Sequence, residues 1–189
     1  MNLFLRKSWR LAGLVFPISY LFLNKHQELI FLGSILCIEL IVEFSRFLNP
    51  SLNRFFLNIF KHIIKEKEKK SISSTGVMLS VIFLCFLLFK KEIAIIAVSF
   101  SIVGDAFSAL IGKRWGVFKI KSKSLEGSLG FFLSSLIIGF MLNVFLVLPI
   151  SLIIWAALIA TLVEFFTPTF LNDNITVPFL TALSLRFMT

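Results

Sequence analysis

The chain has 189 residues, 58% of them apolar, and a mean hydropathy of +0.96. A soluble domain of this length needs a polar surface, so the composition excludes one and indicates a single membrane-embedded domain over residues 1–189. The net charge of +9 does not indicate nucleic-acid binding, because the basic residues fall between apolar runs and not on a compact polar domain.

The apolar runs, taken in chain order, predict an all-α polytopic protein with six or seven spans, each needing roughly 20 apolar residues when upright. Leu11–Leu23 with its flanks gives a short first span, retained because no small-residue cleavage site follows the basic start. Leu29–Phe44 gives the second. Ser51–Lys70 then carries Leu52, Phe55, Phe56, Ile59, Phe60, Ile63 and Ile64 at helical spacing among basic residues, which predicts an amphipathic helix on the inner leaflet. Its last stretch, Lys65–Lys70, is a charge run attracted to anionic lipid. Val77–Phe89, Ile93–Ile111, Leu129–Leu148 and Ile150–Phe166 are the next four spans, and Ile175–Met188 is a last, shorter apolar piece. Cys37 and Cys85 each lie inside an apolar run and read as inert core residues.

With the N-terminus in the cytoplasm, fifteen Lys and Arg residues fall on the cytoplasmic side. Only Lys25, Lys90 and Lys91 fall opposite, and Arg186 is undecided. That bias sets the orientation. The short chain without a targeting extension fits a prokaryotic plasma membrane.

Charge beside apolar helices marks function by default. Glu39 and Glu43 share a face of the second span, with Arg46 a turn further on. Asp105 lies in the cytoplasmic half of the fourth span, Glu164 closes the sixth, and Asp173 and Asn174 precede the last apolar piece. These fall toward one face, where carboxylates can hold a hard cation such as Mg²⁺. The stretch Gly104–Gly130 adds Gly104, Gly112, Gly116 and Gly127 among basic residues, with Lys123 and Ser124 at the start of the fifth span. Glycine backbone, a helix N-terminus and lysine together suit a phosphate. Each feature also has a structural alternative: packing glycines, Ser124 as a helix cap, Asn172–Asn174 as a turn and cap, Glu43 and Arg46 as a helix-joining pair.

The ordered series resembles the CTP-dependent membrane lipid kinases: dolichol kinase, phytol kinase and the CTP-dependent diacylglycerol kinase. The family pattern is Asp-x-x-Ala-x-x-x-Gly-x-x-x-Gly, a spacer, then Lys-Lys-Thr-x-Glu-Gly. Asp105, Gly112 and Gly116 match its first part, and Lys123, Glu126 and Gly127 its second. Glu43 with Arg46 resembles the family's Glu-x-x-Arg, Ser74–Gly76 its Thr-Gly, and Glu164 with Asp173–Pro178 its closing Glu and Asp-Asn-x-x-x-Pro. Arg6, Lys7 and Arg10 resemble its basic start, with Arg10 where many members have His. Ser108, Ser122 and Ser124 depart from Ala, Lys and Thr, and the spacer is shorter.

The resemblance implies phosphoryl transfer from CTP to the hydroxyl of a polyprenol, dolichol, phytol or diacylglycerol. Mg²⁺ is expected on Asp105 and Asp173, with catalytic roles for Asp105, Glu126, Glu164 and Asp173. Gly104, Gly112, Gly116, Lys123, Ser124, Gly127 and Asn174 are expected to bind the nucleotide, supported by Glu43 and Arg46. Two other readings stand beside it: phosphatidate cytidylyltransferase, whose Lys-, Asp- and His-Gly-Gly-containing signature is absent, and a small transporter using Glu39, Glu43 and Asp105.

Overall fold

The computed structural model describes residues 3–59, 72–120, 123–168 and 171–188. The basic start is helical: α1 (Leu3–Leu11) runs through a 3-10 turn (Ala12–Leu14) into α2 (Val15–Phe22). Helix therefore begins well before the expected Leu11 and carries Arg6, Lys7 and Arg10. Next, α3 (Lys25–Leu48) opens on a reciprocal cap. The Asn24 side chain accepts from the Gln27 N–H at 2.9 Å, and the Asn24 N–H donates to the Gln27 side chain at 3.2 Å. This cap starts the helix a turn before Leu29.

The amphipathic segment appears as α4 (Pro50–Ile59), which buries none of its residues and leaves Leu52, Phe55 and Ile59 exposed. The rest of that expected helix, with the charge run Lys65–Lys70, lies outside the described residues. Four apolar helices follow: α5 (Ser74–Leu88), α6 (Lys91–Trp115), α7 (Leu125–Leu146) and α8 (Ile150–Phe166). The last coincides with its expected span. Ser73 caps α5 by accepting from the Gly76 N–H at 3.0 Å, and Ser124 caps α7 by accepting from the Gly127 N–H at 3.1 Å. Finally, α9 (Asp173–Arg186) starts at an Asn172 cap and carries Pro178 inside it. One departure from an all-α chain is a pair of two-residue strands, β1 (Lys119–Ile120) and β2 (Lys123–Ser124), antiparallel with Lys119 opposite Ser124.

Among the described residues, two helices are long and apolar enough to cross a membrane, α6 with 25 residues and α7 with 22. At 1.5 Å per residue they reach about 37 and 33 Å, against a hydrocarbon core of about 30 Å. Helices α5 and α8 are apolar but shorter.

The core sits on α6. That helix packs most extensively on α7 and next on α9, and also touches α1, α2, α5 and α8. Its residues from Ile93 to Gly104 are buried without interruption. In contrast, α7 keeps Leu129, Leu133, Ile137, Met141 and Val144 exposed, an outward stripe at helical spacing. Cys85 is buried as expected, whereas Cys37 is exposed on α3, so its apolar run did not make it a core residue.

At the end away from Asp105, lysines close the loops. Lys91 donates to the carbonyls of Leu21 and Leu23 at 3.2 and 2.9 Å, and Lys25 to that of Leu87 at 2.8 Å. Glu28 is fully buried beside them, accepting from the Ser19 hydroxyl.

The α6–α7 seam depends on glycine. A Cβ on Gly104 would lie 2.5 Å from the Phe131 ring, and one on Gly139 2.7 Å from Ile153. Neither neighbour has room to retreat inside a packed interface. Gly104→Val is expected to lower stability by about 1–3 kcal/mol. Thermal unfolding in detergent measures it; an unchanged midpoint would mean that the seam is looser than these distances require.

Candidate functional site

Six elements, α1, α6, β1, β2, α8 and α9, meet at the end of the helices that carries the basic start. Asp105 projects from α6 between two cations of α1. The Lys7 ammonium donates to Asp105 Oδ2 at 2.6 Å and to the Asp105 carbonyl at 3.0 Å, and the Arg10 guanidinium donates to the same Oδ2 at 2.5 Å. Both cations are largely buried, and among the described residues no donor reaches Oδ1. A carboxylate placed this far into an apolar helix needs such partners. The N-terminal helix is in turn held to α5, through Trp9 Nε1 to Thr75 Oγ1 at 3.3 Å and Arg10 to Ser74 Oγ at 3.4 Å.

A second ion cluster forms on β2. Lys123 pairs with Glu164 Oε1 at 3.2 Å and with both oxygens of Asp173 at 3.2 and 3.3 Å, and also donates to the Glu164 carbonyl. Burial pushes the Asp173 carboxyl above its ordinary range, while Lys123 pulls it the other way. Between the two clusters lies a cleft of about 480 Å³. Its α6 wall is Asp105, Ser108, Gly112 and Lys113; Lys119, Lys123 and Ser124 come from the strands, and Glu164 from α8. The volume is in the usual range of small-molecule sites, about 300–1,000 Å³.

Ser124 is the hub of the glycines. Cβ atoms added to Gly112, Gly116 and Gly127 would come within 2.9, 2.8 and 3.0 Å of its hydroxyl oxygen. The three glycines therefore let the C-terminal turn of α6 cross the N-terminus of α7 at close range. Of the three, Gly112 lines the cleft.

Several expected site residues lie elsewhere. Gly104 packs on Phe131 and does not line the cleft. Glu126 accepts from the backbone N–H groups of Val117 and Phe118 at 3.0 and 3.1 Å, which fixes the chain leaving α6. Glu43 and Arg46 form a buried pair at 2.8 Å, and Glu43 Oε1 accepts from the Ser73 N–H at 3.2 Å. Together with Glu39, which accepts from the Ser73 hydroxyl at 2.9 Å, they seat the start of α5 on α3 and take no part in the cleft. Asn174 borders a narrower cavity, on which Arg10 and Asp105 also open, and not the cleft itself.

Lys7, Arg10, Lys113 and Lys119 are the additions. In the sequence they read as topology signals, and nothing in their spacing singles them out from the other basic residues. Only Arg10 departed from a family pattern.

Oxygen donors without Cys or His suit Mg²⁺. Among the described residues no three His, Cys, Asp or Glu side chains are grouped as a metal site. One or two carboxylates of this kind can hold Mg²⁺ only where other oxygens complete its shell.

No family model matches the chain, and no solved structure does. The chain is similar to CTP-dependent diacylglycerol kinase 1 of Schizosaccharomyces pombe, 30% identical over 90 residues. That match takes in 46% of this chain and 41% of the yeast protein, less than half of its length. It is also similar to the uncharacterized protein RP860 of Rickettsia prowazekii, 31% identical over 179 residues. Here the match covers 92% of this chain and 88% of the relative, nearly end to end in both, and on that extent the chain belongs to the family of the Rickettsia prowazekii protein.

Proposed function

We propose that the protein is a membrane lipid-alcohol kinase that transfers the terminal phosphoryl group of CTP to a polyprenol, dolichol, phytol-type alcohol or diacylglycerol. The observation that carries this reading is the cleft between the Asp105 and Lys123 clusters, where basic side chains, a helix N-terminus and three carboxylates stand together. The partial likeness to a CTP-dependent diacylglycerol kinase supports the same chemistry. We place the N-terminus and the cleft in the cytoplasm of a prokaryotic cell, with six spans through the plasma membrane and α4 on its inner surface. Lys7, Arg10, Lys113 and Lys123 at the cleft end, against Lys25, Lys90 and Lys91 at the other, support that orientation.

Phosphoryl transfer needs positioning and charge neutralisation more than covalent help. The acceptor oxygen forms a bond to the terminal phosphorus, the bond from that phosphorus to the bridging oxygen breaks, and CDP leaves with the electron pair. The acceptor proton passes to a carboxylate. Lys123, with Lys113 and Lys119, holds phosphate oxygens, and the N-terminus of α7 adds its dipole. Glu164 is the base: Lys123 engages its Oε1, while its Oε2 is buried with no hydrogen-bond partner. Mg²⁺, held by Asp105 and Asp173, would neutralise charge on the phosphates. For Asp105 to ligate, Lys7 and Arg10 turn from its carboxylate to the phosphates.

The deciding experiment incubates purified protein in detergent with labelled CTP, Mg²⁺ and a panel of lipid alcohols plus phosphatidate. CDP and a phosphorylated alcohol are expected. Pyrophosphate with a CDP-lipid would mean cytidylyl transfer, and ion flux without any nucleotide product would mean transport. Asp105→Asn and Lys123→Ala are each expected to lower turnover about 10²-fold or more while the protein still inserts and elutes normally; normal turnover in either sinks the assignment.

Glu126 separates bracing from chemistry. Glu126→Gln keeps an oxygen for the Val117 and Phe118 amides, so activity within about tenfold of the parent is expected, with a larger loss in Glu126→Ala. A Gln variant as inactive as Asp105→Asn would return Glu126 to the chemical step.

A further inference from the structure

Asp105 borders two cavities. One is the polar cleft. The other is a narrow slot between α5, α6 and α9, walled by Met78, Ile82, Val98, Ile102 and Pro178 with the Ser101 hydroxyl among them, and with Arg10, Asp105 and Asn174 at its polar end. The slot holds about 10 Å³ of free space, room for roughly one water-sized group. At its polar end the Asn174 side-chain nitrogen is buried and has no hydrogen-bond partner, on a residue only 8% exposed. A buried amide donor left without an acceptor is costly, and its presence beside a void points to a missing polar group.

We propose that this slot is the acceptor subsite, in which the hydroxyl of a hydrocarbon alcohol lies against Asn174 and Asp105 with its first carbons along the apolar wall. The proposal rests on the kinase reading and deepens it. One cavity takes the polyanion and the other the alcohol, and the carboxylate of Asp105 stands between them. Behind the polar end the wall is apolar apart from the Ser101 hydroxyl, so it suits the first carbons of a hydrocarbon chain. The void takes only the hydroxyl end as it stands, and Met78 is the wall that yields. Its methyl group lies against Gly13 in the 3-10 turn, where a Cβ would come within 2.9 Å, and its three side-chain torsions let it move aside. An isoprenoid or alkyl tail then runs between that turn and α5.

The test narrows and widens the slot. Ile82→Phe, which fills it, is expected to raise KM for a long-chain primary alcohol about tenfold or more, with KM for CTP within about twofold of the parent. Should Ile82→Phe fail to fold, Ile82→Ala serves instead: it widens the slot and is expected to improve turnover of branched alcohols relative to linear ones. Independently of turnover, a diazirine-bearing long-chain primary alcohol, competed by the unlabelled alcohol, is expected to label Ser74–Leu88 and Asp173–Arg186. If the parent phosphorylates alcohols but neither Ile82 variant moves the alcohol KM and competed labelling falls on the outer faces of α3 and α7, the slot is wrong and the kinase reading stands. If the parent phosphorylates nothing yet competed labelling falls on α5 and α9, the slot stands as an alcohol site and the kinase reading falls.

Discussion

A carboxylate set deep in an apolar helix has to be met by positive charge, and the rest of the architecture follows from how Asp105 is met. Its two cations come from α1, the helix most distant from it in sequence among those it touches. Desolvating three charges is expensive, and close, well-formed contacts are needed to recover the loss. The basic N-terminus thereby becomes an internal element. It is folded as helix, buried against α6 and tied to the start of α5 by Trp9 and Arg10. Removing the carboxylate leaves two buried cations without their partner, so the ion cluster fixes the position of α1 as firmly as apolar packing fixes α7.

The same rule operates a second time at Lys123. A lone ammonium on a two-residue strand gathers Glu164 from α8 and Asp173 from α9, and so joins the ends of three elements. Around the cleft and its margins, Lys7, Arg10, Lys113, Lys119 and Lys123 face Asp105, Glu164 and Asp173. Five cations against three carboxylates leave the site positive, which suits a polyanion. On the proposed function, an incoming polyphosphate offers the lysines and arginine new partners, and the carboxylates they release become free to hold the cation that accompanies it. Until then the ion pairs keep the carboxylates and their cations together.

Legibility in the sequence followed the strength of the physical signal. Long apolar runs gave helices in the right places, and α8 in particular is bounded by Pro149 and by the polar turn after Phe166, which leave little freedom. Helices α3, α6 and α7 run past their expected ends because Asn24, Lys90 and Ser124 start them outside the apolar run, where hydropathy carries no information. Asp105, Lys123, Glu164 and Asp173 stood out as charges against an apolar background and do come together. Lys7 and Arg10 did not stand out, because the topology rule already accounts for basic residues at a cytoplasmic start. Glu126 was ambiguous for a related reason. A carboxylate one turn into a helix can as easily brace a preceding loop as reach a ligand, and only the three-dimensional course of Val117 and Phe118 decides between them.

The glycines show why packing and function were poor alternatives at this site. Gly112, Gly116 and Gly127 touch one another's surroundings through Ser124, and by local geometry they are packing residues. Yet a side chain at any of them would push the N-terminus of α7 away from the last turns of α6. Lys123 precedes that N-terminus by two residues, and Asp105 sits two turns before Gly112 on the facing helix. Separating the helices would open the cleft at the point where its two ion clusters approach. Close helix crossing is thus the means by which this chain brings a buried carboxylate and a strand-borne lysine to one cavity, and the spacing of the glycines records that crossing.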